Sequence, residues 1–222
     1  MAKVKIQGNA SGTGVLTVTA PNTSTDRTIT LPDSTGTLLD NTSTLDATKL
    51  SGNLPAISGA SLTGLTAGIT EVDTWRLTTS FTGDVTPLAL NLERVDNTTS
   101  GRIGTGMSVS SGVWTFPSTG IWQVEFWMTS YISGDSAEVI GWLQSTHNDS
   151  TWGEDAIMDN FIQQTASTNT FTTGYCSSVL DVTSTSTHKV RFKVAKSNTS
   201  VTTYGDTNQN ATYMRFTKLG ET

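Results

Sequence analysis

The aromatic residues of this 222-residue chain all lie after residue 70. All six tryptophans, seven phenylalanines and four tyrosines fall there, whereas the first 70 residues are rich in Thr, Ser and Gly. Burial of large apolar side chains is the main favourable contribution to folding. We therefore expect residues 71–222 to fold around a core of their own, as a head. The first 70 residues have too little apolar surface to fold alone and would form a tether.

Strict alternation of apolar and polar residues predicts strands in the head. Val190, Phe192 and Val194 alternate with Lys and Arg, which gives that strand one buried and one wet face. A second strand alternates Trp122, Val124, Phe126 and Met128 with residues such as Gln123 and Glu125. About eight such strands, separated by Gly, Asn, Ser and Asp turns and without a convincing helix, predict a β-sandwich.

Residues 1–40 show short strand patterns. Leu16 and Val18 alternate with Thr, as do Ile29 and Leu31, and a Pro-Asp-Ser-Thr-Gly turn follows. An isolated hairpin is marginal in water, so the apolar face of these strands requires cover from another chain or from a larger particle.

Residues 41–70 have a different rhythm, with apolar residues three to five positions apart and frequent glycines. This spacing does not match a strand, and Gly and Pro55 disfavour a helix. Single apolar anchors on an irregular chain suit three chains wound about one axis, as an intertwined shaft. The shaft residues would be Leu50, Leu54, Ile57, Leu62 and Leu65. A flexible linker is the alternative interpretation.

Composition argues against several classes of function. With a net charge of −6, the chain lacks the excess of positive charge that binding to nucleic acid requires. No apolar run approaches the roughly 20 residues that span a bilayer, so we expect no membrane insertion and no secretory signal. We expect synthesis in the cytosol. Cys176, the only cysteine, rules out an intrachain disulfide, and its alternating neighbours place it in a strand as a small hydrophobic residue.

Templates for catalysis are missing from the sequence. It has no Gly-x-Ser-x-Gly elbow and no phosphate-binding loop. His147 and His188 are the only histidines, and they form no cluster with the spacing of metal ligands. We expect His147 to be solvated and His188 to lie at an exposed strand end. The sequence thus predicts no enzyme, no cofactor and no metal.

One polar segment is a candidate ligand site. Residues 147–155 carry three carboxylates, an Asn and Trp152 in a Gly-bearing loop, which could coordinate Ca²⁺ or stack a sugar ring. Alternatively, Trp152 tucks under the loop and the acids stay solvated. Tyr204 and Asp206, the latter in an Asn/Asp-rich loop over residues 205–210, are further candidates for binding a saccharide.

Residues 72–220 resemble the C1q/TNF-like jelly roll. The strand–turn–strand over residues 111–124 is similar to a family motif in which aromatic residues pack the core, and residues 212–220 are similar to the family's last strand. The resemblance implies a homotrimeric head. The predicted core residues of the head are Trp114, Phe116, Trp122, Val124, Phe126, Phe192 and Phe216.

The N-terminal part resembles the fibre proteins of tailed bacteriophages. Residues 14–21 and 27–38 look like their anchor segments, and residues 46–55 look like a shaft repeat. The resemblance implies that residues 1–40 dock on the virion and that residues 41–70 form a shaft. The anchoring residues would be Ile6, Leu16, Val18, Ile29 and Leu31.

Together these features predict an all-β, homotrimeric, non-enzymatic fibre on the virion surface. The N-terminus would bind other virion proteins of the tail or capsid, and the jelly-roll heads would bind a glycan or protein of the host surface. The leading hypothesis is a tail fibre for host attachment. The alternative is a capsid head fibre or decoration protein, with a structural or weakly adhesive role.

Overall fold

The computed structural model describes residues 68–222 and, ahead of them, residues 10–15, 17, 19, 22–26 and 28. The chain divides into two compact units, Met1–Gly59 and Ala60–Thr222. The described residues of the first unit are exposed. The predicted anchor and shaft residues lie outside the described part of the chain: Ile6, Leu16, Val18, Ile29 and Leu31, and Leu50, Leu54, Ile57, Leu62 and Leu65.

Twelve strands and no helix form the described part of the second unit. The strands are β1 (Val72–Leu77), β2 (Thr79–Thr82), β3 (Leu92–Arg94), β4 (Ser108–Ser110), β5 (Val113–Thr115), β6 (Gly120–Ile132), β7 (Ser136–Thr146), β8 (Gly153–Ile162), β9 (Thr170–Val182), β10 (Lys189–Lys196), β11 (Thr202–Asp206) and β12 (Tyr213–Gly220).

Two antiparallel sheets share these strands. The five-stranded sheet has the order β4-β5-β10-β7-β8. The seven-stranded sheet has the order β2-β11-β6-β12-β1-β3, and β9 pairs with the other edge of β6 along its whole length. Strands β8 and β9 are therefore the last strands of their sheets, and they lie beside each other at one edge of the sandwich. The all-β jelly-roll architecture predicted for the head is confirmed.

Strand β6 shows most clearly how the sequence pattern produces the sandwich. Its thirteen residues alternate without a break between buried and half-buried positions. Trp122, Val124, Phe126 and Met128 are at most 1% exposed and point into the space between the sheets. Successive side chains of a strand point to opposite faces, so every second residue of β6 lies on the outer face of the seven-stranded sheet.

Aromatic rings join the two sheets across the core. Phe126 of β6 lies 4.9 Å from Phe192 of β10, measured between ring centroids, and Trp114 of β5 lies 5.0 Å from Phe216 of β12. Such tilted aromatic pairs contribute about 0.5–1.5 kcal/mol beyond the apolar area that they bury. The structure places all seven predicted core residues in this cluster: Trp114, Phe116, Trp122, Val124, Phe126, Phe192 and Phe216.

Two buried charges of β1 are paired rather than isolated. Arg76 is 1% exposed and binds Glu93 at 2.7 Å and Asp96 at 2.8 Å. Asp73, equally buried, accepts hydrogen bonds from Nε of Arg94 at 2.9 Å and from the backbone N–H of Met107 at 2.8 Å. Burial of a charge is tolerated when such partners replace its hydration. These contacts tie the long loop before β4 to the first strands.

Cys176 lies in β9, opposite Phe126, and is 5% exposed. Burial raises the pKa of its thiol to about 11, although a hydrogen bond from the backbone of Leu143 opposes the shift. The thiol is therefore neutral at physiological pH and packs as a small apolar side chain.

Within the residues that the structure describes, no helix is long and apolar enough to span a bilayer.

Candidate functional site

The outer face of the seven-stranded sheet carries a row of three aromatic side chains. Strand pairing places Trp127 of β6 between Tyr213 of β12 and Tyr175 of β9. The rings of Trp127 and Tyr213 are stacked, with centroids 4.7 Å apart and planes inclined by 7°, and the centroids of Trp127 and Tyr175 are 4.3 Å apart. We call the outer surface around this row the aromatic face.

Polar groups fix the rings in the aromatic face. The guanidinium of Arg215 lies 5.8 Å from the Trp127 ring centroid, within the range of a cation–π contact. The Tyr175 hydroxyl donates a hydrogen bond of 3.1 Å to Glu125. Glu125 is the residue of β6 that lies opposite Arg215 of β12 in the strand register. Burial raises the pKa of the Tyr213 hydroxyl, an effect that Arg215 opposes. The face is thus apolar in its centre, and charged groups lie beside the rings.

A second aromatic group continues the face toward the far end of β6. The Tyr131 ring lies 4.9 Å from Phe171 and 6.0 Å from Tyr204, between centroids. Phe171 remains 55% exposed. Six aromatic side chains from four strands therefore lie on this surface of the sheet: Trp127, Tyr131, Phe171, Tyr175, Tyr204 and Tyr213.

Exposed apolar side chains also mark the edge formed by β8 and β9. Phe161 of β8 is 68% exposed, and Ile157 of β8 is more than half exposed. Val179 of β9, which is 60% exposed, lies instead on the same face of its strand as Tyr175 and belongs to the aromatic face. Apolar residues concentrated at one place on a surface indicate an interaction site. The aromatic face and this apolar edge are two different surfaces, and both lack a partner within the described chain.

Tyr204 and Asp206, two of the predicted ligand residues, bind each other. The Tyr204 hydroxyl donates to Asp206 Oδ2 at 3.1 Å, and this hydrogen bond raises the pKa of the hydroxyl. Asp206 also accepts hydrogen bonds from the backbone N–H of Asn208 at 2.7 Å and of Gln209 at 3.2 Å, and the bond from Asn208 is the main reason that its pKa is lowered. The Asp206 carboxylate closes a turn, and Tyr204 belongs to the aromatic face.

Trp152, the third predicted ligand residue, lies elsewhere, against the five-stranded sheet. The guanidinium of Arg191 on β10 lies 4.2 Å from its ring centroid. Trp152 borders a cavity of about 370 Å³, which we call the Trp152 pocket. The structure therefore does not bring Trp152 together with Tyr204 and Asp206. Both histidines line this pocket too. His147 is exposed in the loop after β7, as expected, and His188 lies just before β10 but is half-buried rather than exposed.

Two predicted loop boundaries are wrong. The polar loop expected over residues 147–155 ends at Trp152, because β8 begins at Gly153 and pairs with β7, so Glu154 and Asp155 are strand residues. The loop expected over residues 205–210 is shorter for the same reason, since β11 continues to Asp206 and pairs with β2. In both segments pairing with a neighbouring strand outweighs the turn preference of Asp, Asn and Gly.

The sequence analysis missed the aromatic face, although a signal for it exists. In β6 the positions on the wet side are Ile121, Gln123, Glu125, Trp127, Thr129 and Tyr131. A large aromatic residue at a position that the alternation assigns to solvent is unusual unless another surface covers it. Tyr175 gives no comparable signal, because apolar and polar residues alternate only weakly in the sequence of β9, and Tyr213 gives none because it is the first residue of β12.

No family model matches the sequence, and no curated protein matches it. Solved structures do match the fold. The structure of Eiger TNF from S. frugiperda superposes with a TM-score of 0.50 and 12% identity, covering 70% of this chain and 96% of that one. Murine APRIL at pH 5.0 gives a TM-score of 0.49 and 11% identity, covering 67% of this chain and 98% of that one. The head therefore has the fold of a TNF-like jelly roll.

Proposed function

We propose that this chain is a homotrimeric fibre protein of a bacteriophage virion, and that its jelly-roll heads attach the particle to the host surface. Residues 1–40 would dock on the virion, residues 41–70 would form the shaft, and residues 71–222 would form the head. The protein would bind its ligand on the host surface without catalysing a reaction.

The observation that carries the proposal is the aromatic face. Trp127, Tyr175 and Tyr213 form a ring cluster on the outside of a sheet whose inner face already packs the core. Tyr and Trp are enriched at the centres of protein interfaces, because they bury a large area at little cost in conformational entropy. A second copy of this chain is the simplest partner, because it is present wherever the chain is present and at the same concentration.

The position of the apolar edge supports a cyclic assembly. The aromatic face and the edge marked by Ile157 and Phe161 of β8 are different surfaces of one chain, so a contact between them is heterologous. A heterologous contact forms a ring when its rotation closes and a filament when it does not. We infer that the edge of one copy packs on the aromatic face of the next, and that the ring closes at three copies, as the sequence resemblance implies.

Three heads on one stem would suit attachment to a repeated surface ligand. Each bound head holds the other two near the surface at an effective concentration on the order of mM for short flexible linkers. Weak individual contacts can then add up to durable binding. The virion location is supported by the resemblance of residues 14–21, 27–38 and 46–55 to fibre segments.

Cryo-electron microscopy of particles that carry this chain would test the proposal. We expect threefold density rooted on the tail, with the jelly rolls pointing outward. Purified chain added to host cells should also slow the adsorption of particles. Density rooted on the capsid would instead make the chain a head fibre or decoration protein. Particles without the chain, or adsorption unchanged by saturating chain, would contradict host attachment.

A further inference from the structure

The outer face of the five-stranded sheet carries two cations of its central strand, β10. Val190, Phe192 and Val194 are fully buried in the core, so Arg191 and Lys193 between them point outward. These two residues are about 7 Å apart along the strand. Strand β7 separates β10 from β8, whose apolar side chains the proposed trimer would bury. We call the outer surface around Arg191 and Lys193 the cationic face.

An indole lies against each of these cations. The guanidinium carbon of Arg191 is 4.2 Å from the ring centroid of Trp152, and the ammonium of Lys193 is 4.0 Å from the ring centroid of Trp142. Such cation–π contacts favour one position of the cation over the ring. They leave the charge in place, because an indole has no net charge. Both side chains are therefore held on the surface as cations.

Hydrogen bonds on the same face orient the guanidinium of Arg191. Its Nε donates to Gln144 Oε1 at 2.8 Å, and Gln144 is only 6% exposed. The amide nitrogen of Gln144 donates to Glu154 Oε1 at 3.4 Å, and the Lys193 ammonium lies at the same distance from that oxygen. The four side chains form one chain of contacts over β10, β7 and β8. A group fixed in this way loses little entropy when a ligand binds.

Arg191 has no counter-charge within the described residues. Its cross-strand neighbours, Gln144 on β7 and Val113 on β5, are both uncharged. No described carboxylate forms an ion pair with Arg191, and its two terminal nitrogens donate to no described residue. Burial lowers the pKa of the guanidinium, because the charge has lost part of its hydration. A positioned guanidinium with both terminal nitrogens free is suited to bidentate binding of a carboxylate.

We propose that the cationic face binds an acidic polysaccharide of the host surface, and that Arg191 holds the carboxylate of a uronic acid unit. The inference rests on the proposed attachment function and names its ligand class. The terminal nitrogens of Arg191 donate to the two carboxylate oxygens, and Lys193 attracts the carboxylate of a neighbouring unit. Trp142 and Trp152 are half-buried, and their remaining surface is a flat apolar contact for the C–H faces of the sugar rings.

The charges on this face favour a polysaccharide over a nucleic acid. Binding to nucleic acid takes most of its free energy from many phosphate contacts. The cationic face offers only two cations, and two carboxylates, those of Glu154 and Asp159 on β8, lie on the same side of the sheet. Recognition of one carboxylate needs Arg191 alone. Three heads on one stem would repeat this contact along a polymer, so that weak single contacts add up.

Isothermal titration calorimetry on the full chain tests this assignment. The probes are oligomers of galacturonate, of mannuronate and of hyaluronan, which contains glucuronate. We expect at least one of them to bind, and we expect its methyl ester, in which the carboxylates are masked, to bind about tenfold more weakly or less. The affinity should fall as the salt concentration rises. A DNA oligomer with the same number of charges should bind more weakly than the uronate.

Substitutions of Arg191 separate specific recognition from an effect of net charge. Arg191→Gln should weaken binding of the uronate about tenfold, and Arg191→Lys, which keeps the charge but loses the planar fork, should also weaken it. Arg102→Gln is the matched control. It removes the same charge from an exposed loop, whose next residue, Ile103, pairs with Val72 in the other sheet. This variant should bind as the unmodified chain does.

Near-ultraviolet circular dichroism of each variant would show whether the fold is intact. The assignment would be overturned by the absence of binding to every uronate oligomer, or by a methyl ester that binds as tightly as the free acid. It would also be overturned if the DNA oligomer binds as tightly as the uronate, or if Arg191→Gln and Arg102→Gln have equal effects.

The same preparations separate this inference from the proposed function. If the chain forms trimers and slows particle adsorption but binds none of the uronates, the ligand assignment fails and the attachment function stands. If the chain binds a uronate through Arg191 but is monomeric and leaves adsorption unchanged, the attachment function fails, and the cationic face is a saccharide site in another context.

Discussion

At the scale of single residues, Lys196 at the end of β10 is the clearest case of a charged group buried in surroundings that disfavour its charge. Its side chain is 6% exposed, and Nζ donates to the Val201 carbonyl at 3.0 Å and lies 4.8 Å from the Phe81 ring centroid. Burial lowers the pKa of the ammonium from 10.5 to about 8, although Asp84 opposes the shift. The charged form is therefore less stable in the folded chain than in the unfolded one.

This shift predicts a pH dependence with a definite sign. Below pH 8 both states hold the proton, and between pH 8 and 10.5 the unfolded state binds more protons than the folded state. The contribution of Lys196 to the free energy of unfolding should therefore rise with pH in that window, by on the order of 1 kcal/mol per pH unit. The measurement is urea unfolding of the unmodified chain and of Lys196→Met at pH 7, 8, 9 and 10.

The comparison with Lys196→Met cancels the other groups that titrate in this range. The Cys176 thiol, with its pKa raised to about 11, has the opposite sign, but it is present in both proteins. Protein concentration must be equal, because association contributes to the apparent stability. A difference in unfolding free energy between the two proteins that stays constant from pH 7 to pH 10 would contradict the buried-ammonium account.

At the scale of elements, the hairpin of β4 and β5 shows how two residues determine a connection. Ser111 and Gly112 are the only residues between the strands, with φ values of 49° and 74°. Two consecutive positive φ angles are typical of a type I′ turn, whose twist matches that of the strands. Gly112 also lies against the preceding chain, because a Cβ at this position would come within 2.6 Å of the Leu88 carbonyl oxygen.

Gly112→Ala should therefore destabilise the head by about 1–3 kcal/mol, the usual cost of one strained backbone position. Both the left-handed φ and the contact with Leu88 contribute to this cost. Ser111→Gly is the control in the same turn, and it should leave the midpoint of thermal unfolding unchanged or raise it, because it removes a Cβ from a left-handed position. Equal midpoints for Gly112→Ala and the unmodified chain would show that the turn tolerates a side chain.

The strands that could be predicted from the sequence are those with one dry and one wet face. Val190, Phe192 and Val194 of β10, and Trp122 to Met128 of β6, alternate so regularly that their buried faces followed from the period of two. The start of β8 could not be predicted, because Gly153-Glu154-Asp155 has the composition of a turn and becomes a strand only by pairing with β7.

The Trp152 pocket could not be predicted for a different reason. Trp152, Asp181 and His188 come from separate parts of the chain, and they meet only because β10 lies beside β7, while β9 covers the same end from the other sheet. Strand order is a long-range property that local patterns do not encode. The aromatic face could be predicted in part. Trp127 on the wet side of β6 indicates it, but the rings of the neighbouring strands join it only through strand pairing.

At the scale of the whole molecule, the head has more exposed apolar surface than its own fold requires. The aromatic face and the edge of β8 and β9 are both at the surface, although β6 and β9 already pack a full core on their inner side. Association into a closed ring would bury both surfaces and remove the free edges of β8 and β9 from solvent. The stability and the binding strength of the fibre would then depend on the same interface.

The central claim is therefore the oligomeric state, and light scattering of the purified full chain during gel filtration tests it directly. The account predicts three times the chain mass of 23.6 kDa. Tyr175→Lys places a charge in the aromatic face and should lower the fraction of trimer on dilution, because only the contacts of residues 1–70 would then hold the chains together. Leu90→Lys alters a more exposed apolar residue outside that face and should remain trimeric. A single-chain mass for the unmodified protein at micromolar concentration, or a fraction of trimer on dilution that Tyr175→Lys leaves unchanged, would contradict the account.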